Sequence, residues 1–420
     1  MSGDPSSTRF GVHVDVLKLG VVSLLTDLSS EMLFAVFAVY FTTVAGASAA
    51  LLGWVEGVAD FSASSLDYFA GWLSDRSGER KRLTLAGYGF STLAKGILPF
   101  SNSIAGLGVF RVVERLGKSF RGPPRDAWLA EVAAREARGL SFGIHKALDK
   151  SGAVIGPLLA WEILSRLEGG AGAYRVLFVI ALIPAVLSVA ALSLVKDRPG
   201  IAHRRENPWR AWRTLSADFR RYLVPAGIFA LAYFSFGFLL LRARSIGFAV
   251  GDIALLYALV NVACVLAAPI VGRLGDRWGR VPIVMMGYLS YLLMSLGFIW
   301  ATTKGQAVVL FVLYGVFFAI DEAQSKAFVA DLEAERRASA MGIYNALTGL
   351  LYLPASVMAG ALWLGHPAGA FLLAAGLSAA AIVALAILRP GNASMTRPAG
   401  PGAPQCFAGS AGQVRMPSRV

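Results

Sequence analysis

The chain has 420 residues, of which 56% are hydrophobic and 15% charged, and it carries a formal net charge of +13. Soluble domains run at about 45–50% apolar and about 25% charged residues, so with a mean hydropathy of +0.60 a water-solvated domain is excluded. The excess of positive charge would suggest nucleic acid in a soluble protein; in a chain this apolar it points to a membrane surface instead.

The opening stretch, MSGDPSSTRFGVHVDV, lacks a short apolar core followed by a small-residue cleavage site. It is read as a cytoplasmic segment over residues 1–15, with the first apolar run kept as a membrane helix. A bilayer span needs about 20 mostly apolar residues in a helix. Twelve such runs follow, at 16–43, 51–73, 83–100, 104–127, 140–164, 174–195, 222–244, 250–272, 282–302, 306–330, 339–364 and 368–388. Links as short as GAS at 46–48 and GHPAG at 365–369 force neighbouring helices to be antiparallel. The predicted fold is therefore an all-α membrane protein of twelve transmembrane helices in two six-helix bundles, 16–196 and 222–389. Between them, residues 197–221 form a basic connector whose WRAWRTL segment suits a short amphipathic helix on the inner leaflet. Residues 390–420, rich in Gly, Pro, Ser and Ala, are predicted to be a disordered cytoplasmic tail.

Alternate links carry the basic residues. Arg76, Arg80, Lys81 and Arg82 follow the second span, Arg135 and Arg138 the fourth, and seven arginines from Arg198 to Arg221 the sixth. Arg273, Arg277 and Arg280 follow the eighth span, and Arg336 and Arg337 the tenth, whereas the opposite links hold chiefly Arg166, Arg175 and Lys304. Basic residues stay on the cytoplasmic side, so both termini are predicted to be cytoplasmic and the location is a cell (inner) membrane. Cys264 and Cys406 lie in an apolar run and a polar tail, which argues against a disulfide framework or a zinc site.

An internal repeat runs through the chain. GWLSDRSGERKR from Gly71 matches GRLGDRWGR from Gly272, AWLAEV at 127–132 matches AFVADL at 327–332, and GIHKALD at 143–149 matches GIYNALT at 342–348. The offsets are 201, 200 and 199 residues, so the halves are equivalent and share one orientation. Paired halves of this kind can expose a site at their interface to either side in turn.

The loop pattern G-x-L-x-D-R-x-G-x-R after the second span, repeated after the eighth, resembles that of the major facilitator superfamily, and the likeness covers the chain to about residue 390. TDLSSEM at 26–32, RLGKSFRGPPRDA at 115–127 and YNALTG at 344–349 look like a poorly characterised prokaryotic branch of it. The resemblance implies a gating role for Asp75 and Arg76, and for Asp276 and Arg277, through a charge relay with nearby helix ends that holds the outward-open state; topogenic charge alone is the plainer alternative. On helix 5, Gly143, Gly152 and Gly156-Pro157 resemble the superfamily's antiporter motif, although Ala160 and Trp161 stand where that motif has glycines.

Charged residues inside spans are costly and mark functional candidates. On helix 4, Arg111, Arg115, Lys118 and Arg125 fall at i, i+4, i+7 and i+14, within about 80° of one another on one stripe, flanked by Glu114. Asp27 and Glu31 sit one turn apart on helix 1, Asp60 and Asp67 on helix 2, Asp149 on helix 5, and Asp321 and Glu322 on helix 10. A buried carboxylate near a cation can load and release a proton, so Glu31 and Asp27 are the leading proton carriers and Asp321 the next; locked salt bridges are the alternative. The set expected to bind substrate or couple protons is Asp27, Glu31, Arg111, Arg115, Lys118, Asp321 and Glu322. His145, Lys146 and Lys150 beside Asp149, with Lys326 on helix 10, read as an inner-gate network, so Asp149 and Lys326 join the gating set.

There is no G-x-x-x-x-G-K-[ST] loop, no nucleophile elbow, and no His–Met spacing for a metal. No catalytic residue, metal or cofactor is therefore expected, and neither enzyme chemistry nor an ATP motor. The function predicted is secondary transport by alternating access, as a monomer, of a small polar or anionic organic solute coupled to protons. Export by proton antiport is placed slightly ahead of uptake by proton symport of a metal chelate, siderophore or organic acid. A membrane sensor that transports nothing is the alternative from another class; Asp75, Asp276 and the charged core weigh against it.

Overall fold

The structure is a computed structural model that describes residues 8–9, 12–101, 103–133, 137–167, 170–195, 215–333 and 336–390. The expectations for most of the basic connector, for the C-terminal tail and for the Asp75 side chain lie outside the described residues.

In hydrocarbon every backbone polar group has to be satisfied within the protein, so long apolar runs become helices. A two-residue hairpin, β1 (Thr8–Arg9) with β2 (Val12–His13), leads into α1 (Val14–Val39), which a π turn at Tyr40–Val44 extends. There follow α2 (Ala49–Ser77), α3 (Arg80–Ile97), α4 (Ile104–Val132), α5 (Arg138–Arg166) and α6 (Ala171–Ser193). In the second half, α7 (Ala217–Ala232) and α8 (Gly237–Ile246) form one broken span. It is followed by α9 (Val250–Trp278), α10 (Arg280–Trp300), α11 (Lys304–Ile320), a π turn at Asp321–Ser325, α12 (Lys326–Leu332), α13 (Arg337–Gly365) and α14 (Pro367–Leu388). Twelve spans thus stand among the described residues, each within a few residues of its predicted bounds. The seventh begins at Ala217, inside the stretch read as connector, because Ser216 caps it by accepting from the Phe219 amide.

Eight of the spans are long and apolar enough to cross a membrane by composition alone. The other four are α2 to α5, whose hydropathy is lowered by charged residues, among them the buried Glu56, Lys95, Arg111 and Asp149.

The two halves repeat each other's packing. The neighbours of α1 are α5 and α6, and those of α7 are α13 and α14; α4 lies against α2 and α3 as α11 lies against α9 and α10. The loop motif recurs in geometry too, since Gly78 and Gly279 end α2 and α9 with φ of 70° and 87°. A side chain is disfavoured in that region, which accounts for glycine at this point of both motifs.

With an even number of crossings, Val14 and Leu388 lie on one face of the membrane, here called the terminal face. On the far face the halves meet backbone to backbone. A Cβ on Gly53 would strike the Ser356 carbonyl; one on Gly360 would come 2.7 Å from the Ala49 carbonyl; one on Gly237 would come 3.0 Å from the Ala38 Cβ. Gly251 closes in the same way on Ser165 and Trp161, so Trp161, where the helix 5 motif departs from glycine, packs against a glycine of the other half. Small residues permit such close approach inside lipid.

The Gly53→Val substitution should hold this seam apart. A cysteine placed at Ala49 should then react several-fold faster with an impermeant maleimide than the same cysteine in the Gly53 parent; equal rates would show that the seam absorbs the side chain.

Candidate functional site

The stripe on α4 builds the site. Arg111 grips Glu56 of α2 with two parallel bonds, Nε to Oε1 at 2.6 Å and Nη2 to Oε2 at 2.7 Å. One turn along both helices, Arg115 Nη2 donates to Asp60 Oδ1 at 2.8 Å. Spacings of i, i+4 on two adjacent helices thus make two rungs. The next three cations meet α1 and α5. Lys118 Nζ lies 4.0 Å from Glu31, Arg121 lies 3.7 Å from Asp27, and Arg125 donates to Ser23 at 2.8 Å with Asp149 at 3.8 Å. Guanidinium faces also rest on rings, with Arg111 4.2 Å above Phe34 and Arg121 4.8 Å above Tyr88. Each contact offsets part of the large penalty for charge in a low-dielectric interior.

Behind this layer, Lys95 of α3 is 1% exposed and donates to Ser30 at 2.8 Å, while Ser30 donates to Glu114 at 3.2 Å. Glu114 is fully buried beside Arg111, at 3.8 Å.

These groups face a central cavity of about 760 Å³ between the halves. Its lining is lopsided. Among the described residues, fourteen of its sixteen ionisable acid and base residues come from α1 to α5, and only Glu322 and Lys326 from the second half. Among the same residues, seven of its nine aromatics come from the second half, led by Tyr233, Tyr257, Tyr314, Phe318 and Tyr352. The lining runs toward the terminal face through Pro123, Asp126, Lys146 and Lys326, where the Asp126 and Lys146 side chains are 54% and 55% exposed. With the glycine seam shut on the far face, the cavity opens to the terminal face.

Hydrogen bonds and ion pairs cross between the halves at the cavity. The Tyr257 hydroxyl donates to Glu31. Glu322 is held by Lys146 at 3.1 Å and Lys150 at 3.0 Å. Ser235 Oγ donates to Glu56 at 3.1 Å, while its amide donates to Ser356 Oγ at 3.1 Å. Ser235 lies in the break between α7 and α8, so the amide freed by the missing helical turn is satisfied by side chains, as membrane depth requires.

Of the residues singled out in the sequence, Asp27, Glu31, Arg111, Arg115, Lys118, Glu322, Asp149 and Lys326 line the cavity. Asp321 does not. It sits in the π turn, where its carboxylate accepts from Ser325 at 3.2 Å within its own half; the extra residue of the π turn sends Glu322 into the cavity in its place. The acidic groups opposing α4 accordingly come from α1, α2 and α5. Arg76 is exposed and stacks on Trp72 at 5.3 Å. Asp276 is 70% exposed and bonded to Arg280 four residues on, and Arg277 is exposed. The structure therefore brings neither Asp276 nor Arg277 to the other half. Instead the last arginine of each motif reaches the acid of the downstream repeat: Arg80 to Glu131 at 3.2 Å and Arg280 to Asp331 at 3.0 Å. Sequence reasoning passed over Glu56 and Lys95. For Glu56 a signal existed, since Glu56 and Asp60 match the Arg111 and Arg115 spacing; for Lys95 there was none.

The family profile described as Major Facilitator Superfamily matches residues 19–243 and again 226–409. The chain belongs to the major facilitator superfamily. It is accordingly a secondary transporter that carries a small-molecule substrate across a lipid membrane. It is 32% identical over 366 residues to an uncharacterised MFS-type transporter of Methanocaldococcus jannaschii, covering 85% of this chain and 90% of that one. It is 27% identical over 146 residues to the multidrug resistance protein MdtH of Photorhabdus laumondii, covering 34% of this chain and 35% of that one. Among solved structures, it superposes on a nucleoside transporter, NupG (D323A mutant), with a TM-score of 0.75 at 14% identity, covering 89% and 99% of the two chains. The human organic anion transporter MFSD10 gives 0.60 at 16%, covering 88% and 98%. At such identities the likeness is one of fold.

Cutting a buried pair leaves its partner charged in a dry site, at a cost of about 3–5 kcal/mol. Glu56→Gln should therefore lower thermal stability in detergent sharply. The Glu56→Met, Arg111→Met double variant should recover most of the loss. Asp60→Asn should cost less, since Arg115 and Asp60 are 26% and 21% exposed. An intact melting temperature in Glu56→Gln would refute a structural role for the pair.

Proposed function

We propose that this transporter moves a small organic anion together with a proton, and that Glu31 carries the proton. The observation behind this is the position of Glu31 at the cavity wall, between Lys118 of its own half and the Tyr257 hydroxyl of the other. An anion entering the cavity competes with the Glu31 carboxylate for the Lys118 ammonium. Protonation of Glu31 withdraws that competitor, so proton and anion favour each other's binding. Linkage of that sign is symport. The geometry thus supports the reading that sequence alone placed second, uptake of an organic acid, over export by antiport. Asp27, paired with Arg121, is the reserve proton site, and Arg115, whose buried Nε has no hydrogen-bond partner, is a second anchor for the anion. In the opposite state of the cycle, Asp75, Arg76, Asp276 and Arg277 hold the terminal face closed; here, with that face open, Arg76, Asp276 and Arg277 stand in solvent. Both termini belong in the cytoplasm of a cell membrane on the charge asymmetry of the links, and one chain is sufficient.

Export by antiport is the second reading, supported by the relation to a multidrug resistance protein over about a third of the chain and by the glycines of α5.

Proteoliposomes holding a trapped pH dye distinguish the two. Adding a membrane-impermeant anion from a panel of sulfonates and dicarboxylates should acidify the lumen under symport, and acidification should vanish in Glu31→Gln while anion exchange at equal pH persists. Alkalinisation in the parent would establish antiport. Wild-type coupling in Glu31→Gln would remove Glu31 from the mechanism.

A further inference from the structure

We infer that the second-half wall of the cavity is a ring-recognition surface, so that the transported anion carries a flat aromatic ring whose charged group sits at Lys118; this rests on the anion-binding role proposed above.

The second half contains two kinds of aromatic residue. Phe229, Tyr291 and Phe317 are buried and fill its core. Tyr233, Tyr257, Phe318 and Tyr352 are only partly buried and face the cavity. The second group packs against that core on one side, as Tyr233 does against Phe229, Tyr291 and Phe317, but core packing does not account for the side it turns to the cavity. Lipid-exposed or core positions are filled equally well by leucine, and a tyrosine brings a hydroxyl that needs a partner. Here the partners lie inside the cavity: Tyr233 and Tyr314 hydroxyls are 3.2 Å apart, and the Tyr257 hydroxyl is bonded to Glu31.

The rings are also ordered. Tyr314 and Phe318 lie nearly parallel, at an interplanar angle of 12°, and Tyr233 meets Tyr352 edge to face at 5.3 Å. A wall offering both faces and edges suits a flat guest, which gains offset or T-shaped contacts that a puckered ring of the same size does not. Charge stands at its margin. Lys150 Nζ lies 5.2 Å over the Phe318 ring, and Tyr257 is one hydrogen bond away from the carboxylate that faces Lys118. A ring seated against Phe318 and Tyr352 therefore directs an acidic substituent to the cations of the first half.

Two sulfonates of the same charge and nearly equal size test this, because neither crosses the bilayer unaided. The full-length protein in lipid nanodiscs, titrated by calorimetry, should bind benzenesulfonate about tenfold tighter than cyclohexanesulfonate, the scale of an aromatic contact beyond simple burial. The Phe318→Leu, Tyr352→Leu variant should lose that preference while keeping its affinity for cyclohexanesulfonate, and Phe318→Tyr with Tyr352→Phe should restore it. Equal affinities in the parent, or a preference that survives the leucine variant, would overturn the inference. If both sulfonates acidify vesicles equally well, the proton-coupled reading stands and the ring-recognition surface falls. If neither sulfonate binds or moves protons, both fall.

Discussion

Five cations along one face of α4 must be neutralised in a part of the membrane where an isolated charge is costly. That constraint orders the first half of the protein. It places Glu56 and Asp60 on α2 at the same helical interval as Arg111 and Arg115, and it draws Asp27 and Glu31 of α1 to Arg121 and Lys118. It fixes ring positions too, with Phe34 and Tyr88 beneath guanidinium faces. Because α4 spends its charge on α1 and α2, the cavity they share is ionic on that side before any solute arrives.

The second half meets no such demand. Duplication preserved the scaffold, down to an arginine–acid pair repeated at Arg80–Glu131 and Arg280–Asp331, while the interiors diverged. Where the first half has arginine and carboxylate, the second has stacked rings, as in Phe229 against Tyr288 at 4.0 Å. A cavity between two such halves has one wall of charged groups and one of aromatic rings.

The spans were legible because twenty apolar residues in lipid have one stable conformation, and the halves were legible because three motifs recur at offsets near 200 residues. The stripe of α4 could be read from helical phase alone. Its partners could not all be read, since pairing depends on which helices lie side by side. Glu56 and Asp60 share the interval of Arg111 and Arg115, but that interval becomes a pairing only once α2 lies against α4. Lys95 sits in a span whose other residues gave no hint that it faces Ser30 and Glu114. Asp321 and Glu322 are adjacent in sequence, and which of them lines the cavity depends on a π turn, where the count of 3.6 residues per turn fails. The interruption after Ala232 was hidden likewise, because YFSFG is apolar enough to continue a helix.

The glycine seam on the far face bears on how readily the molecule can cycle. A gate closed by interlocked leucines would expose apolar area on each opening, at about 25 cal/mol for every Å² returned to water. Gly53, Gly237, Gly251 and Gly360 have no side chains to expose. Parting them returns less apolar area to water than parting leucines would, that of neighbours such as Leu52 beside Gly237 and Trp161 beside Gly251. The closure gains much of its tightness from fit. Such a gate costs less to open than a leucine seam of the same extent, so a single ion pair rearranged in the cavity is a larger part of the work of opening it.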